Sequence, residues 1–472
     1  MKIALALLEI LYKSLLYLTG WPLAVVLLLG GLYFTIRTCG VQGMLKESIK
    51  VATEKPSKPG SISSFSALMV STASRVGSGN IIGVSVAICS GGPGAVFWMW
   101  VCATIGGASA FVESTLAQIF KRKKEDGSSY GGPAYYIEST LNSKFLATIF
   151  TIALIFTYGV GYNMLASYNL QSAFSEFGFY KAIPNISVFF GIGVALLFFV
   201  CVIGGGKTII KTTSLLVPLM GVLYILFAII AIVINFENLP KMFVTIFNSA
   251  FDFKAIFGGF AGSVFMLGMK RGLYSNEAGI GSAPNAAASA DVSHPVKQGL
   301  VQMLSVFIDT LIICSATAFM CLCTDVIPTE ANSGAPFVQE AVKATFGMIG
   351  PIFIAAAMVL FTFTTLLGNF YYVENCLNYL FGKVPSKPVL MIVRIVGAVL
   401  IAEGAAIKMS LAWDLADIAQ CILAFINIPV CVIVGGYAYK ALNDYNAKRK
   451  QGLNPVFKAE DIGLEKKTDF WK

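Results

Sequence analysis

Four consecutive residues in an apolar stretch, Gly77-Ser78-Gly79-Asn80, have the composition of a small binding site. Each glycine costs about 1 kcal/mol relative to alanine in a helix interior, so a helix is weak here. In a bilayer, open backbone persists only where it lines a cavity or is buried in protein. Its free N–H groups can then hold a carboxylate, and its free carbonyls a small cation. The stretch therefore predicts a broken membrane helix at the centre of a transport site, in which Asn80 either contacts the ligand or caps the following helix.

A second set of oxygen atoms lies in the sequence Phe-Thr-Phe-Thr-Thr, which begins at Phe361. Its hydroxyls fall within about one turn of an apolar helix. Hard cations take oxygen ligands, so these hydroxyls could hold Na⁺. Alternatively, each threonine bonds the carbonyl four residues earlier in its own helix. The residues alone leave both interpretations open.

The composition defines the elements that must position these groups. Of 472 residues, 56% are hydrophobic and 12% charged, with a mean hydropathy of +0.75. Long apolar runs of this kind indicate a bundle of membrane-spanning helices. The single histidine and the ten scattered cysteines have no metal-ligand spacing, and the sequence shows no catalytic nucleophile pattern or nucleotide-binding loop. We therefore expect neither enzymatic activity nor an organic cofactor, and no nucleic-acid partner.

The apolar runs predict about eleven spans, each needing about 20 residues. Residues 1–17 are expected to form an interfacial helix, Ala335–Phe346 a helical outer loop long enough to act as a lid, and the chain after Gly452 a mobile tail. Basic loops recur on one side of the spans, which places the C-terminus in the cytoplasm and the N-terminus outside. We expect a multi-pass cell-membrane protein that works as a monomer in the lipid bilayer.

Two spans are interrupted at corresponding positions. The span 65–90 breaks at Gly77–Asn80, and the span 255–283 is interrupted around Gly268–Gly272. Such a pair points to an inverted-repeat transporter, whereas glycines that only permit close helix packing are the alternative. The predicted organisation is an N-terminal segment, two five-span repeats and a cytoplasmic tail, at residues 1–60, 61–240, 241–445 and 446–472.

Several segments, which together span most of the chain, carry a family resemblance. They are RVGSGNIIGVSVAICSGGPGAVFWMW, DGSSYGGPAYYI, KRGLYSNEAGIGSAP, HPVKQGLVQML and FTFTTLLGNFYYVEN, and SNEAGIGSAP is the most specific. The chain resembles the alanine or glycine:cation symporters, also called sodium:alanine symporters, of the amino acid–polyamine–organocation superfamily. The resemblance implies an all-α integral membrane protein with a leucine-transporter-type 5+5 inverted repeat and one extra N-terminal helix. It also implies sodium-coupled symport of a small neutral amino acid by alternating access.

The same resemblance implies site residues. Sodium would be held by the carbonyls of Ala73 and Val76, a carbonyl near Phe361, and the hydroxyls of Thr364 and Thr365. The amino acid would lie at the membrane midplane between the two broken helices, with its carboxylate at the N–H groups of the first break. The expected lining residues are Gly77, Ser78, Gly79, Asn80, Ala166, Phe265, Gly268, Met269, Leu273, Thr365 and Asn369.

Two positions depart from the family pattern. Members usually carry Gln where this chain has Ala166, and Trp where it has Asn369. Both changes remove bulk, and the second adds an amide. We therefore expect a substrate larger or more polar than alanine or glycine, with glutamine as a candidate, unless Tyr168 or Phe370 refills the space.

Four charged residues near the breaks, Arg75, Lys270, Arg271 and Glu277, would be costly in lipid. We expect them on the cytoplasmic halves of their helices, as an inner gate of ion pairs that breaks when the site opens inward. Permanent pairing, or snorkelling to the interface, is the alternative.

Other functions would make different demands on the sequence. In a proton-coupled transporter the ion site would hold a titratable group, and the expected one holds none. A channel would need rings of repeated filter residues, and none is evident. A transporter-like sensor could share this sequence, but no added signalling domain is visible.

Overall fold

The structure, a computed structural model, describes residues 2–56, 60–124, 127–252, 263–465 and 468–471, with side chains from Glu9 onward. These residues are mostly helical. The first helices are α1 (Lys2–Leu18), α2 (Trp21–Arg37), α3 (Leu45–Ala52), α4 (Ser64–Arg75), α5 (Gly79–Gly91) and α6 (Ala95–Ile119). A short antiparallel hairpin of β1 (Arg122–Lys123) and β2 (Ser129–Tyr130) follows. The next helices are α7 (Pro133–Leu141), α8 (Lys144–Ser172), α9 (Gly178–Ala182), α10 (Ile186–Ile203), α11 (Gly205–Ile234) and α12 (Leu239–Ala250).

The remaining helices complete the bundle. They are α13 (Val264–Asn276), α14 (Pro284–Ala287), α15 (Pro295–Leu322), α16 (Ala335–Phe346), α17 (Ile349–Phe381), α18 (Lys387–Gly404), α19 (Met409–Val434) and α20 (Gly436–Lys450). Helices α5, α8 and α15 each contain a π-helical segment, and the one in α15 covers Ile308–Cys314.

Within the described residues, eight helical stretches are long and apolar enough to cross a membrane. This confirms an all-α, multi-pass membrane protein. Three predicted spans have no such stretch: the two interrupted ones, and 387–407, where α18 carries Lys387, Arg394 and Glu403. The count of eleven spans and the 5+5 repeat therefore stay predictions, and residues 255–262 of the span 255–283 lie outside the described residues.

Helix α6 lies at the centre of the bundle, because small residues allow α2, α15 and the loop after α13 to approach it closely. Gly31 of α2 meets Ile105, and a Cβ on Gly31 would lie 2.8 Å from its side chain. A Cβ on Gly107 would lie 2.8 Å from the ring of Phe307 in α15, and one on Gly106 would lie 2.9 Å from Ala278. The segment that follows α13 is thus held against α6.

The bundle has two ends that differ in charge. At the end that we call the basic end, Lys123, Lys124 and Lys383 line one surface cavity, and the C-terminal tail packs there. At the other, which we call the far end, α6 begins and the helical loop α16 lies. Helix α2 runs from the far end to the basic end, where Arg37 stacks 5.0 Å from the ring of Tyr439.

Candidate functional site

The first break lies where the sequence predicts it. Helix α4 ends at Arg75, Val76 turns out of the helix (φ −76°, ψ 90°), and helical structure resumes at Gly79. The Gly77 N–H donates to Asn80 Oδ1 at 2.7 Å. Asn80 lies inside the second half-helix, whose N-cap position is Ser78. Its side chain therefore bonds back across the break, and the Gly77 N–H that we expected to face a substrate carboxylate is already bonded.

The amide nitrogen of Asn80 connects the break to two other helices. It donates to Asp309 Oδ1 at 2.6 Å and to Ser275 Oγ at 3.0 Å. Ser275 in turn donates to Asp309 Oδ2 at 2.7 Å. All three side chains are fully buried. A titratable carboxylate thus lies one side chain away from the break, which the sequence argument against proton coupling did not foresee.

The second break does not lie where the sequence predicts it. Helix α13 runs unbroken through Gly268–Gly272 and ends at Asn276. Its glycines serve close packing, because a Cβ on Gly268 would lie 2.5 Å from the Trp98 Cβ and 2.6 Å from the Ala95 carbonyl of α6. The packing alternative is therefore correct for these residues.

The backbone instead breaks at Glu277, which adopts a left-handed conformation (φ 54°), and at Gly279 and Gly281 (φ 89° and 80°). Buried Glu113 of α6 accepts the N–H groups of Gly279 at 3.4 Å and Gly281 at 3.0 Å. It also accepts the Asn427 amide of α19 at 2.7 Å. A carboxylate that accepts two backbone N–H groups fixes the course of this loop.

Glu277 links the two breaks directly. Its Oε1 lies 2.9 Å from Ser74 Oγ, one turn before the first break, and its Oε2 accepts Ser282 Oγ at 2.8 Å. Ser74 Oγ also lies 2.6 Å from Asn369 Oδ1. The hydroxyl has one hydrogen, so it bonds one of these acceptors at a time.

The expected cation ligands are partly assembled. Thr365 Oγ1 donates to the Ala73 carbonyl at 3.1 Å, and a Cβ on Gly77 would collide with this same hydroxyl. Thr364 Oγ1 bonds inside its own helix, to the carbonyls of Leu360 at 3.0 Å and Phe361 at 3.1 Å. Helix α17 therefore brings its hydroxyls to the first break, although Thr364 makes the bond within its own helix that we gave as the alternative.

Two asparagines of α8 complete the cluster. Asn163 Oδ1 accepts the amide of Asn369 at 2.9 Å, and Asn169 donates to Ser78 Oγ at 3.0 Å. Ala166, between them in sequence, is fully buried. The amide that Asn369 adds at this position is therefore bonded within the protein.

Three expected lining residues of α13 face away from the first break. Phe265 packs edge-on against Trp98 of α6, with ring centroids 4.8 Å apart, Gly268 meets the same tryptophan, and the Met269 carbonyl accepts the Cys102 thiol at 3.6 Å. A helix that continues unbroken turns these positions towards one neighbour. The structure packs them on α6, and their assignment to the pocket stays a prediction.

The residue of α13 that covers the break is Tyr274, beside the expected and fully buried Leu273. A Cβ on Gly79 would lie 2.7 Å from the Tyr274 ring. The ring also packs against Tyr162 at 4.9 Å and Trp413 at 5.0 Å. Three aromatic rings thus close over the start of the second half-helix from the far end.

The four expected gate charges are not one network. Lys270 and Arg271 both pair with Asp417 of α19, at 2.7 and 3.0 Å. Arg75 instead donates to the Gln302 carbonyl at 3.2 Å. Because α13 begins beside Ala95, Lys270 and Arg271 lie on the far-end side of the break. Among the described residues, no ion pair joins Arg75 to Glu277.

Sequence reasoning missed the partners of these charges. Asp417 lies within an apolar span, and an acidic residue there is a signal for a function or a buried partner. Arg271 contacts it with both terminal nitrogens, at 3.2 and 3.0 Å, and lies 3.9 Å from the Trp413 ring. Ser275 belongs to the quoted signature, but its bond to Asp309 could not be read from spacing.

Helix α16 and a cavity lie at the far end, beyond the aromatic rings. Helix α16 covers the expected Ala335–Phe346, which confirms that this loop is helical. The Gly334 N–H that precedes it donates to Ser85 of α5 at 3.0 Å. A far-end cavity of about 230 Å³ includes Ile82, Tyr168, Gly334 and Met409 in its lining. Helix α5 therefore faces this cavity with one side and the buried cluster with the other.

Membrane helices broken around buried oxygen and amide groups are the architecture of a secondary transporter. The sequence model of the sodium:alanine symporter family matches residues 6–459, and the chain belongs to that family. It is accordingly a multi-pass membrane protein of an amino-acid symporter family, which is a transporter class and not an enzyme class.

Similar proteins come from Bacillus subtilis (strain 168). The amino-acid carrier protein AlsT is 41% identical over 96% of this chain and 95% of its own length. The putative sodium/proton-dependent alanine carrier protein YrbD is 42% identical over 96% and 95%. The probable sodium/glutamine symporter GlnT is 39% identical over 95% and 93%.

Proposed function

We propose that the protein couples entry of Na⁺ to symport of a small neutral amino acid, by alternating access at the first break. The observation that carries this proposal is the contact between Thr365 Oγ1 and the Ala73 carbonyl. It brings a hydroxyl of α17 to carbonyls that leave the helix at Val76, an arrangement of oxygen atoms that suits a hard monovalent cation. The hydroxyls of Thr364 and Thr365 keep lone pairs for an ion while their hydrogens bond carbonyls.

The direct test is Na⁺-dependent alanine uptake into proteoliposomes by Thr365 variants. Thr365→Ala removes the hydroxyl, whereas Thr365→Ser keeps it. We expect the alanine variant to need a much higher Na⁺ concentration for half-maximal uptake, and the serine variant to stay close to the unmodified protein. Thr362→Ala is the matched control, because its hydroxyl belongs to the same segment without being an expected ligand. Equal Na⁺ dependence in all variants would remove Thr365 from the ion site.

The substrate that we propose is an amino acid of the alanine class, with glutamine as the competitor to be tested. The name of YrbD includes alanine, and that of GlnT includes glutamine. Asn369 bears on the choice, because its amide is bonded to Ser74 and Asn163 rather than free. A glutamine side chain would have to displace one of these bonds. We therefore expect excess alanine to inhibit uptake of labelled alanine more strongly than excess glutamine does, and Asn369→Ala to narrow the difference.

Proton coupling is the second candidate, and Asp309 favours it. Its carboxylate is buried and bonded to Asn80 and Ser275, so a proton there would change bonds at the break. Alanine uptake driven by a pH gradient in Na⁺-free medium, and lost in Asp309→Asn, would support it. We expect no such uptake, because the oxygen ligands of α4 and α17 lie at a separate place.

We further propose an orientation of the protein in the membrane and the ion pairs that gate the site. The basic end faces the cytoplasm by the positive-inside rule, which puts the start of α2 outside, and a monomer suffices because both breaks lie in one chain. Asp417 with Lys270 and Arg271 then forms an outer gate. Arg75 and Glu277 stay candidates for an inner gate that pairs in another state. A charge exchange, Arg75→Glu with Glu277→Arg, tests this, since an inner-gate pair predicts that the double variant recovers uptake lost in each single one.

A further inference from the structure

The C-terminal tail is folded against the basic end, although the sequence predicts a mobile segment. Near its start, Asn454 Oδ1 accepts the Lys297 ammonium at 2.9 Å. The Pro455 carbonyl accepts Ser293 Oγ at 2.8 Å, and the Phe457 N–H donates to the Ser293 carbonyl at 2.9 Å. These bonds fix the tail to the chain just before α15.

The end of the described tail is attached to a different element. Trp471 donates its indole N–H to the Gln118 carbonyl of α6 at 2.7 Å. The Lys123 N–H donates to Asp469 at 2.9 Å. The ammonium of Lys121 lies 3.9 Å from the Phe470 ring centroid and 4.8 Å from that of Trp471, within the range of cation–π attraction.

Between these attachments the tail buries its own apolar residues. Phe457, Ile462 and Leu464 are at most 4% exposed. Asp461 pairs with Lys448 of α20 at 2.6 Å. By contrast Val456, which points outward, is 57% exposed. The tail is therefore a packed element with a buried side and a solvent side.

The elements that the tail joins meet at the inner side of both breaks. The Asp291 N–H, in the segment after the second break, donates to the Ile62 carbonyl at 2.9 Å, just before α4. Lys121 donates to the Ala290 carbonyl at 3.1 Å. Ala67 of α4 packs against Ala290 and Val292. A passage to the basic end requires α4 to separate from this segment.

We propose that residues 454–465 and 468–471 form a strap that holds the basic end of the transporter closed, and that the strap must loosen before α4 can move away. The strap spans from the start of α15 to the end of α6, and the seam between α4 and residues 290–292 lies against the elements to which it is attached. This inference rests on the proposed alternating access, because a protein without such a cycle would have no reason to open this seam.

A cysteine at the seam reports its opening. Ala67→Cys, in an otherwise cysteine-free full-length protein, places a thiol at a position that is 1% exposed in the closed seam. The strap is weakened by Phe470→Ala with Trp471→Ala. The matched control is Leu453→Ala with Val456→Ala, two tail residues that are 56% and 57% exposed. The measurement is the rate of labelling by a membrane-impermeant maleimide in detergent.

We expect the strap variant to be labelled about tenfold faster than the unmodified strap, a factor that corresponds to about 1.4 kcal/mol. The control should match the unmodified strap. Deleting residues 454–472 should give at least the same increase. Equal labelling of all forms would overturn the proposal. Size-exclusion chromatography shows whether the deletion form is misfolded. If it is, the labelling rates of the point variants decide between the two outcomes.

The labelling readout also separates this proposal from the proposed function. If the strap variant is labelled fast but the protein transports no amino acid, the transport function is contradicted and the strap proposal stands. Normal amino-acid uptake with unchanged labelling would contradict the strap alone.

Discussion

Gly77 is the position at which a single added methyl group should most disturb the proposed cation site. A Cβ there would collide with Thr365 Oγ1 and would lie 3.2 Å from the Thr365 Cβ. Either the threonine hydroxyl rotates away from the Ala73 carbonyl or the broken helix shifts. Forcing an extra methyl into a packed site costs about 1–3 kcal/mol. If that cost falls on the ion-bound state, Na⁺ affinity drops by about 5- to 150-fold.

The assay for Gly77→Ala is the Na⁺ concentration needed for half-maximal alanine uptake in proteoliposomes. Gly193→Ala in α10 is the matched control, because nothing lies within 4 Å of a Cβ there. In a Thr365→Ala background, the colliding atom is gone, so the further effect of Gly77→Ala should shrink. Such coupling between neighbours is typically about 0.5–3 kcal/mol.

Two results would refute this reasoning. The first is an unchanged Na⁺ requirement in Gly77→Ala. The second is an effect of Gly77→Ala that is equally large with and without the Thr365 hydroxyl, since the collision with that hydroxyl is the only cause that we invoke.

Three further predictions concern stability. Asp417→Asn leaves buried Arg271 and partly buried Lys270 without their shared carboxylate and should cost about 3–5 kcal/mol; chemical denaturation in detergent measures it, and the exposed Asp325→Asn is the control. Burial lowers the pKa of His294 to about 4 from its ordinary value near 6.5, against the opposing attraction of Asp444. The unfolded chain therefore binds this proton more readily between pH 6.5 and 4, so stability should fall by about 1.4 kcal/mol per pH unit as the pH decreases through that window. Gly268→Ala should lower the melting temperature by separating α13 from α6, at a cost of about 1–3 kcal/mol.

Each of these has a contradicting outcome. Equal stability of the Asp417 and Asp325 variants would mean that the shared ion pair is not needed. A pH profile of unfolding that is identical in His294→Gln would show that His294 is not the titrating group. A Gly268→Ala protein that melts normally would contradict the tight contact with Trp98.

The sequence was informative where one chemical requirement dominates the local structure. The break at Gly77–Asn80 could be predicted because glycine weakens any helix. The helical loop α16 was also predictable. The second break was misplaced because Gly268 and Gly272 have the same composition signal but serve packing on α6. Only the tertiary contact distinguishes a glycine that opens a helix from one that lets two helices approach.

The partners of the buried polar groups could not be read from sequence for a related reason. Asp309 bonds Asn80, Glu113 bonds Gly281 and Asp417 pairs with Arg271, each far away along the chain, so spacing carries no information about these partners. The tail was misjudged in the same way, since its polar composition hides a few apolar residues that pack against α6 and α15. Composition describes an average, whereas these contacts depend on single side chains.

The central claim is that Na⁺ and an amino acid move together through this protein. The most direct test is to follow radiolabelled Na⁺ and alanine in the same proteoliposomes, at equal pH on both sides and with an inward Na⁺ gradient. The account predicts that alanine accelerates Na⁺ entry, and that Thr365→Ala abolishes this acceleration. Alanine entry that is accompanied by proton uptake, with no Na⁺ entry, would contradict it.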